Sequence, residues 1–333
     1  MSYLFPSSTI TFDAALRDIA GGSPKARAFA AHALGDVQEP AEKRRAVDAL
    51  TLALEDDRPE VRAEAASSLG TLGELGSVPA LIKRLDDGAA AVRQNAAIAL
   101  GTMRAMEGFD PLAEALADGP ADLRFQAATS LAEIDPLKSF PHVMKALDDK
   151  DPQVVGAAAL SVGAIASEAG DPALKEQARL ALAPKLDHAD AGAKFDVAYA
   201  LADLDDAAGT KILAGALKDE ARAWDAVTAL ARLKAIPELI GAALDKKTPV
   251  EAQTLAAGRV LATQRDHQSS QKVLIDALTA RKVHVRGIAI EQLADIGGPW
   301  AKEPLEKLSR SGKGSELLEP IANALKSISQ RAS

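Results

Sequence analysis

The sequence predicts an all-α chain, a solenoid of about ten stacked two-helix units. Three observations predict it. Apolar residues recur in columns 31 residues apart. Prolines preceded by capping residues mark the same place in several units. No segment shows the sustained Val-, Ile- and Thr-rich alternation of a strand.

Bulk composition points the same way. A chain of 333 residues exceeds one ordinary core, so it forms two domains or a repeat array. Hydrophobic residues make up 47% and aromatics only 3%, which favours helices packed through small side chains. The absence of cysteine excludes disulfides, zinc–thiolate sites and cysteine nucleophiles. Net charge is −8. Residues 1–204 hold 20 Lys and Arg against 31 Asp and Glu, whereas residues 205–333 hold 19 against 16. An acidic first two-thirds disfavours nucleic acid, which needs many cation–phosphate contacts. No apolar run is long enough to span a bilayer. The start, MSYLFPSSTITF, lacks the charged and continuous apolar regions of a signal peptide, so a cytoplasmic location is expected.

The elements follow in order. Residues 1–12 carry Tyr3, Leu4, Phe5, Ile10 and Phe12, and read as a cap on the first unit. The solenoid spans 13–329, with regular repeats over 13–204 and more divergent ones over 205–329. Residues 330–333 read as a frayed tail. Within the regular part, Leu54, Leu85, Leu116 and Leu147 are anchors. Leu50, Leu81, Leu112 and Val143 stand four before them, an i, i+4 stripe on a first helix. Val61, Val92, Leu123 and Val154 follow seven after, and Leu69, Leu100, Leu131 and Val162 fifteen after, on a second helix. Pro24, Pro59, Pro152 and Pro249 stand five past their anchors, with Pro120 one place early. Proline suits a first helical turn, and Ser23, Asp151 and Thr248 before it are good N-caps. Gly35, Gly70, Gly101 and Gly163 share a column and imply close helix contact.

The pattern L-x-D-D-x-P-x-V-R-x-x-A-x-x-x-L-G, clearest at Leu54–Gly70, Leu85–Gly101, Leu116–Leu131 and Leu147–Gly163, resembles HEAT repeats. It is most similar to the short bacterial type also found in phycobilin lyases. The resemblance implies a right-handed α-solenoid and a bacterial origin, and it covers nearly the whole chain, residues 205–265 fitting worst. It also implies that the paired acids and arginines, Asp56/Arg62, Asp87/Arg93 and Asp118/Arg124, form a ladder between neighbouring repeats. Arg27 and Arg286 keep only the cation of that pattern, and Lys194 and His188 replace the pair. Val155 and Asp225 should interrupt the ladder.

Catalytic constellations are sparse. His32, His142, His188, His267 and His284 lie in different units, and none forms a metal-binding spacing. Members of a HEAT-like hydroxylase family, the deoxyhypusine hydroxylases, use His-Glu dipeptides as iron ligands, and no such dipeptide occurs here. There is no phosphate-binding glycine loop and no nucleophile elbow. The expectation is a noncatalytic scaffold or adaptor without cofactor or metal. The alternative is a HEAT-like enzyme, either a bilin lyase or a glycosylase-like repair protein; Trp224, Asp225, Arg222 and Arg232 are what the latter would use.

In HEAT-type arrays the second helices line the concave face. The columns nine and thirteen past the anchor point away from the buried stripe. They should be polar, yet they hold Ile98, Phe125, Leu160, Phe195 and Tyr199. An apolar stripe rimmed by Asp196, Asp203, Glu133 and Gln126 is therefore expected to hold a helix or extended peptide of a protein partner. Strong curvature that buries these side chains between repeats is the competing reading. Lys246, Lys247, Arg281 and Lys282 form a second, basic feature in turns, suited to an acidic partner.

Overall fold

The computed structural model describes residues 10–332. Among them every regular element is helical: twenty α-helices and several short 3-10 turns, with no strand. The helical part of the 1–12 segment begins only at Phe12, and Tyr3, Leu4 and Phe5 lie outside the described residues. The chain forms two compact units, residues 1–185 and 186–333.

The first unit pairs α1 (Phe12–Gly21) with α2 (Pro24–Gly35) and α3 (Pro40–Ala53) with α4 (Pro59–Leu72). It continues with α5 (Val78–Arg84) and α6 (Ala90–Thr102), α7 (Phe109–Asp118) and α8 (Ala121–Ile134), α9 (Pro136–Ala146) and α10 (Pro152–Glu168). The helix α11 (Pro172–Leu182) closes it. The second helices stack in succession, α2 on α4, α4 on α6, α6 on α8 and α8 on α10.

The second unit opens with α12 (Ala191–Asp203). Four pairs follow: α13 (Thr210–Gly215) with α14 (Ala223–Arg232), α15 (Ile236–Leu244) with α16 (Val250–Thr263), α17 (Gln268–Ala277) with α18 (Val283–Ile296), and α19 (Lys302–Ser309) with α20 (Leu318–Ala332). Here α12, α14, α16, α18 and α20 form the successive stack.

The columns read from sequence become the core. Leu50, Leu54, Val61 and Leu69 are fully buried, as are their counterparts Leu81, Val92 and Leu100 one repeat later. Three prolines open helices α2, α4 and α10 in the first turn, where a missing N–H costs nothing. Ser23 caps α2 by accepting from the Ala26 N–H at 3.3 Å, and Asp151 caps α10 from Gln153 at 2.9 Å. Thr248 is no cap. It is buried, α16 begins after Pro249, and the Gln253 amide instead donates to the Thr248 carbonyl at 2.8 Å.

The glycine column permits the second helices to touch. A Cβ on Gly70 would lie 2.9 Å from both Cα and Cβ of Ala99, closer than real Cβ contacts. On Gly101 it would lie 2.9 Å from the Ser130 Cβ. The 330–333 tail is corrected in part: α20 runs to Ala332, and the Arg331 guanidinium caps α18. It donates to the carbonyls of Ala294 at 2.6 Å and Gly297 at 3.0 Å, groups left without a partner at a helix C-terminus.

Candidate partner-binding face

Two sets of residues are set out by the repeats: a ladder in the turns and an outward face on the second helices. The ladder fixes the second helices against one another. The Arg62 guanidinium donates through Nε and Nη2 to the Asp87 carboxylate of the next repeat, both at 2.8 Å. Its Nη1 donates to the Asp56 carbonyl in its own turn, at 2.8 Å. One planar fork thus joins two repeats. Asp87 also accepts from the Ala89 N–H two residues on, which closes its turn.

The pairing runs from each arginine to the following repeat. Arg27 binds Asp56 at 2.7 Å, Arg93 binds Asp122 at 2.9 Å, and Arg124 binds Asp149 at 2.7 Å. Arg27 therefore needs no acid in its own turn to form the first rung. Asp118 is the exception among the expected ladder residues. The turn between α7 and α8 holds only residues 119 and 120, whereas the equivalent turn before α6 holds 85–89. Asp118 is consequently the exposed last residue of α7, and Asp122 in the first turn of α8 meets Arg93 instead. The Arg62 guanidinium holds the Asp87 carboxyl below the usual carboxylate range, and Arg124 does the same to Asp149.

At the next position of this column Val155 is buried, so no cation stands there. In the second unit His188 takes the turn role: its Nδ1 accepts from the Asp190 N–H at 3.0 Å. Arg286 keeps the contact to its own turn, Nη1 donating to the Ala280 carbonyl at 2.8 Å, while its buried Nε lacks a hydrogen bond.

The second-helix face divides between the two units. On the first unit Ile98 of α6, Phe125 of α8 and Leu160 of α10 are 42%, 38% and 37% exposed. They stand on three successive helices of one stack. Polar side chains of the second helices α2, α4, α6 and α8 make bonds of their own. Asn95 donates to the Ala63 carbonyl at 2.8 Å, Gln126 to the Thr129 hydroxyl at 3.0 Å, and His32 meets Glu64 at 2.8 Å. The three apolar side chains are the exposed large hydrophobic residues of α6, α8 and α10.

The second unit differs. Phe195 is only 5% exposed, which corrects the expectation of an outward side chain. The Arg222 guanidinium lies 5.3 Å from its ring centroid, and Tyr199 packs beside it at 6.4 Å. Arg232 lies over Tyr199 at 5.7 Å and pairs with Asp203. Asp203 is thus committed within the chain rather than standing as a free rim. Asp196 is half-buried, and burial pushes its carboxyl up against the opposing pull of Arg222. Lys282 of the basic feature pairs with Glu251 at 2.9 Å. Among the described residues no group of three or more His, Asp or Glu is arranged to hold a metal. No helix among them is long and apolar enough to cross a membrane.

No curated protein matches the chain. Solved structures similar to it include the complex of CpcE and CpcF of phycocyanin lyase from Nostoc sp. PCC7120, at 22% identity and TM-score 0.47, covering 77% of this chain and 98% of that one. Computationally designed armadillo repeat proteins for modular peptide recognition match at 18% identity and TM-score 0.39, covering 58% of this chain and 99% of theirs. Human deoxyhypusine hydroxylase in complex with glycerol matches at 19% and 0.35, covering 86% of this chain and 95% of that one. The HEAT repeats family matches residues 14–105 and 109–181, the same residues in which the arginine–aspartate ladder runs, and through these repeats the chain belongs to the HEAT-repeat family.

Proposed function

We propose that the chain is a noncatalytic scaffold that binds a helix or extended segment of a protein partner along the second-helix face of its first unit. The observation that carries this reading is the row Ile98, Phe125 and Leu160, exposed on three successive stacked helices. Large apolar side chains in such a row are a cost in water that a partner's apolar face removes. The ladder supports the reading by holding α2, α4, α6, α8 and α10 in fixed register, so that the row presents a preorganised surface.

The test compares affinity capture by the native chain and by a variant carrying Ile98→Ser, Phe125→Ser and Leu160→Ser. A protein retained by the native chain and lost by the variant, with the variant's helical circular dichroism and folded state kept, supports the proposal. Equal retention by both sinks it.

A further inference from the structure

In the second unit the ladder keeps one arginine and lacks the acid that should meet it. Residues 275–311 repeat the spacing of residues 113–149 without a gap, 162 residues later. Helices α8 and α18 begin and end at matching positions, and Arg286 stands where Arg124 stands. The half of each guanidinium that serves its own turn is alike. Arg124 Nη1 donates to the Gly119 carbonyl at 2.9 Å, and Arg286 Nη1 donates to the matching Arg281 carbonyl at 3.0 Å. The other half differs. Arg124 Nε and Nη2 each donate to Asp149 of the following repeat at 2.7 Å. The residue matching Asp149 is Ser311, and its hydroxyl donates to the Leu308 carbonyl at 2.7 Å. Arg286 is 5% exposed, and its buried Nε has no hydrogen bond. A buried charged donor without an acceptor carries a desolvation penalty that a carboxylate would remove.

The position left without its acid borders a cavity. Asp149 lines a cavity of about 350 Å³ between α7 and α9, and Ser311 lines the matching one of about 430 Å³ between α17 and α19. The second cavity has the more apolar wall. Ile275 and Leu308 stand where Ala113 and Ala146 line the first, and Leu278 and Pro304 complete it. Glu303 and Lys307, one turn apart on α19, also line it and offset each other's charge. Small-molecule sites begin at about 300 Å³ and combine apolar walls with a few placed polar groups. In every rung of the first unit this half of the arginine fork takes a carboxylate from the following repeat. The vacant half at Arg286 therefore selects one carboxylate, and the wall beside it selects an apolar body.

We propose that Arg286 and the cavity beside Ser311 bind a small amphipathic carboxylate. The ligand's carboxylate takes the place that Asp149 fills in the first unit and accepts from Arg286 Nε. Its apolar body lies against Ile275, Leu278, Pro304 and Leu308. The ligand thus supplies the missing rung between α18 and the repeat that follows it. This site belongs to the second unit and uses no residue of the row Ile98, Phe125 and Leu160.

The test titrates the full chain with octanoate by calorimetry. Octanoate should bind and should slow hydrogen exchange in peptides from α18 and α19. Octanol, which lacks the charge, and acetate, which lacks the apolar body, should bind at least about tenfold more weakly. Ser311→Asp supplies the carboxylate from within the chain, so it should raise Tm and weaken octanoate at least about tenfold. Ser311→Ala removes the hydroxyl without adding an acid and should still bind octanoate. No binding of octanoate at millimolar concentration overturns the proposal. Equal binding of octanol overturns it by showing apolar adhesion alone, and an unchanged octanoate affinity in Ser311→Asp overturns the role of Arg286.

Discussion

Breaking one rung of the ladder gives a quantitative test of how the repeats are joined. The Arg62 and Asp87 side chains are 16% and 5% exposed and share two hydrogen bonds of 2.8 Å. Exposed pairs contribute up to about 1 kcal/mol, whereas removing one partner of a buried pair costs about 3–5 kcal/mol. This rung lies between the limits, so Arg62→Ala should cost about 2 kcal/mol. Part of that is the bond from Arg62 to the Asp56 carbonyl, which has nothing to do with Asp87. A double-mutant cycle with Asp87→Ala separates the two and should return a coupling of about 1 kcal/mol. Because the chain has two compact units, whole-chain melting need not follow one transition. Native-state hydrogen exchange of peptides from α4 and α6 reads the joint locally. A coupling below about 0.3 kcal/mol, the range in which independent sites add, would refute the claim that the rung joins repeats.

Other expectations follow from the same geometry. Asp87 and Asp149 have folded pKa values depressed below their unfolded values, so their stabilisation is present above about pH 4 and is lost as pH falls through the folded pKa. Acid titration of the native chain should show this loss, and Arg124→Met should flatten the Asp149 part of it. Gly70→Ala should lower Tm, costing about 1–3 kcal/mol through the clash with Ala99, although alanine is the better helix former by about 1 kcal/mol. Equal or higher stability of Gly70→Ala would show that the helices can part at no cost. Phe195→Ala should destabilise by about 3 kcal/mol in thermal or urea unfolding, while Phe125→Ala, at a side chain 38% exposed, should cost less, about 1–2 kcal/mol.

What the sequence disclosed was whatever repeats in it. The step from Leu54 to Leu85 to Leu116 defined the core, since a column copied every 31 residues must do the same job each time. Pro59 and Pro152 marked helix starts because their geometry is local. Asp118 was misleading because a ladder partner depends on the length of a turn, and the turn after α7 is three residues shorter than the one after α5. Phe195 was misleading for another reason. Its column on α12 reads as outward, but the side chain is buried in the core of the second unit with Arg222 over its ring, and no periodicity within α12 signals that.

The most direct measurement of the central claim is hydrogen exchange of the chain with and without the captured partner. Binding on the second-helix face predicts added protection on α6, α8 and α10, and its loss when Phe125 and Leu160 are replaced by Ser. Protection confined to other helices, or undiminished in that variant, would contradict the account.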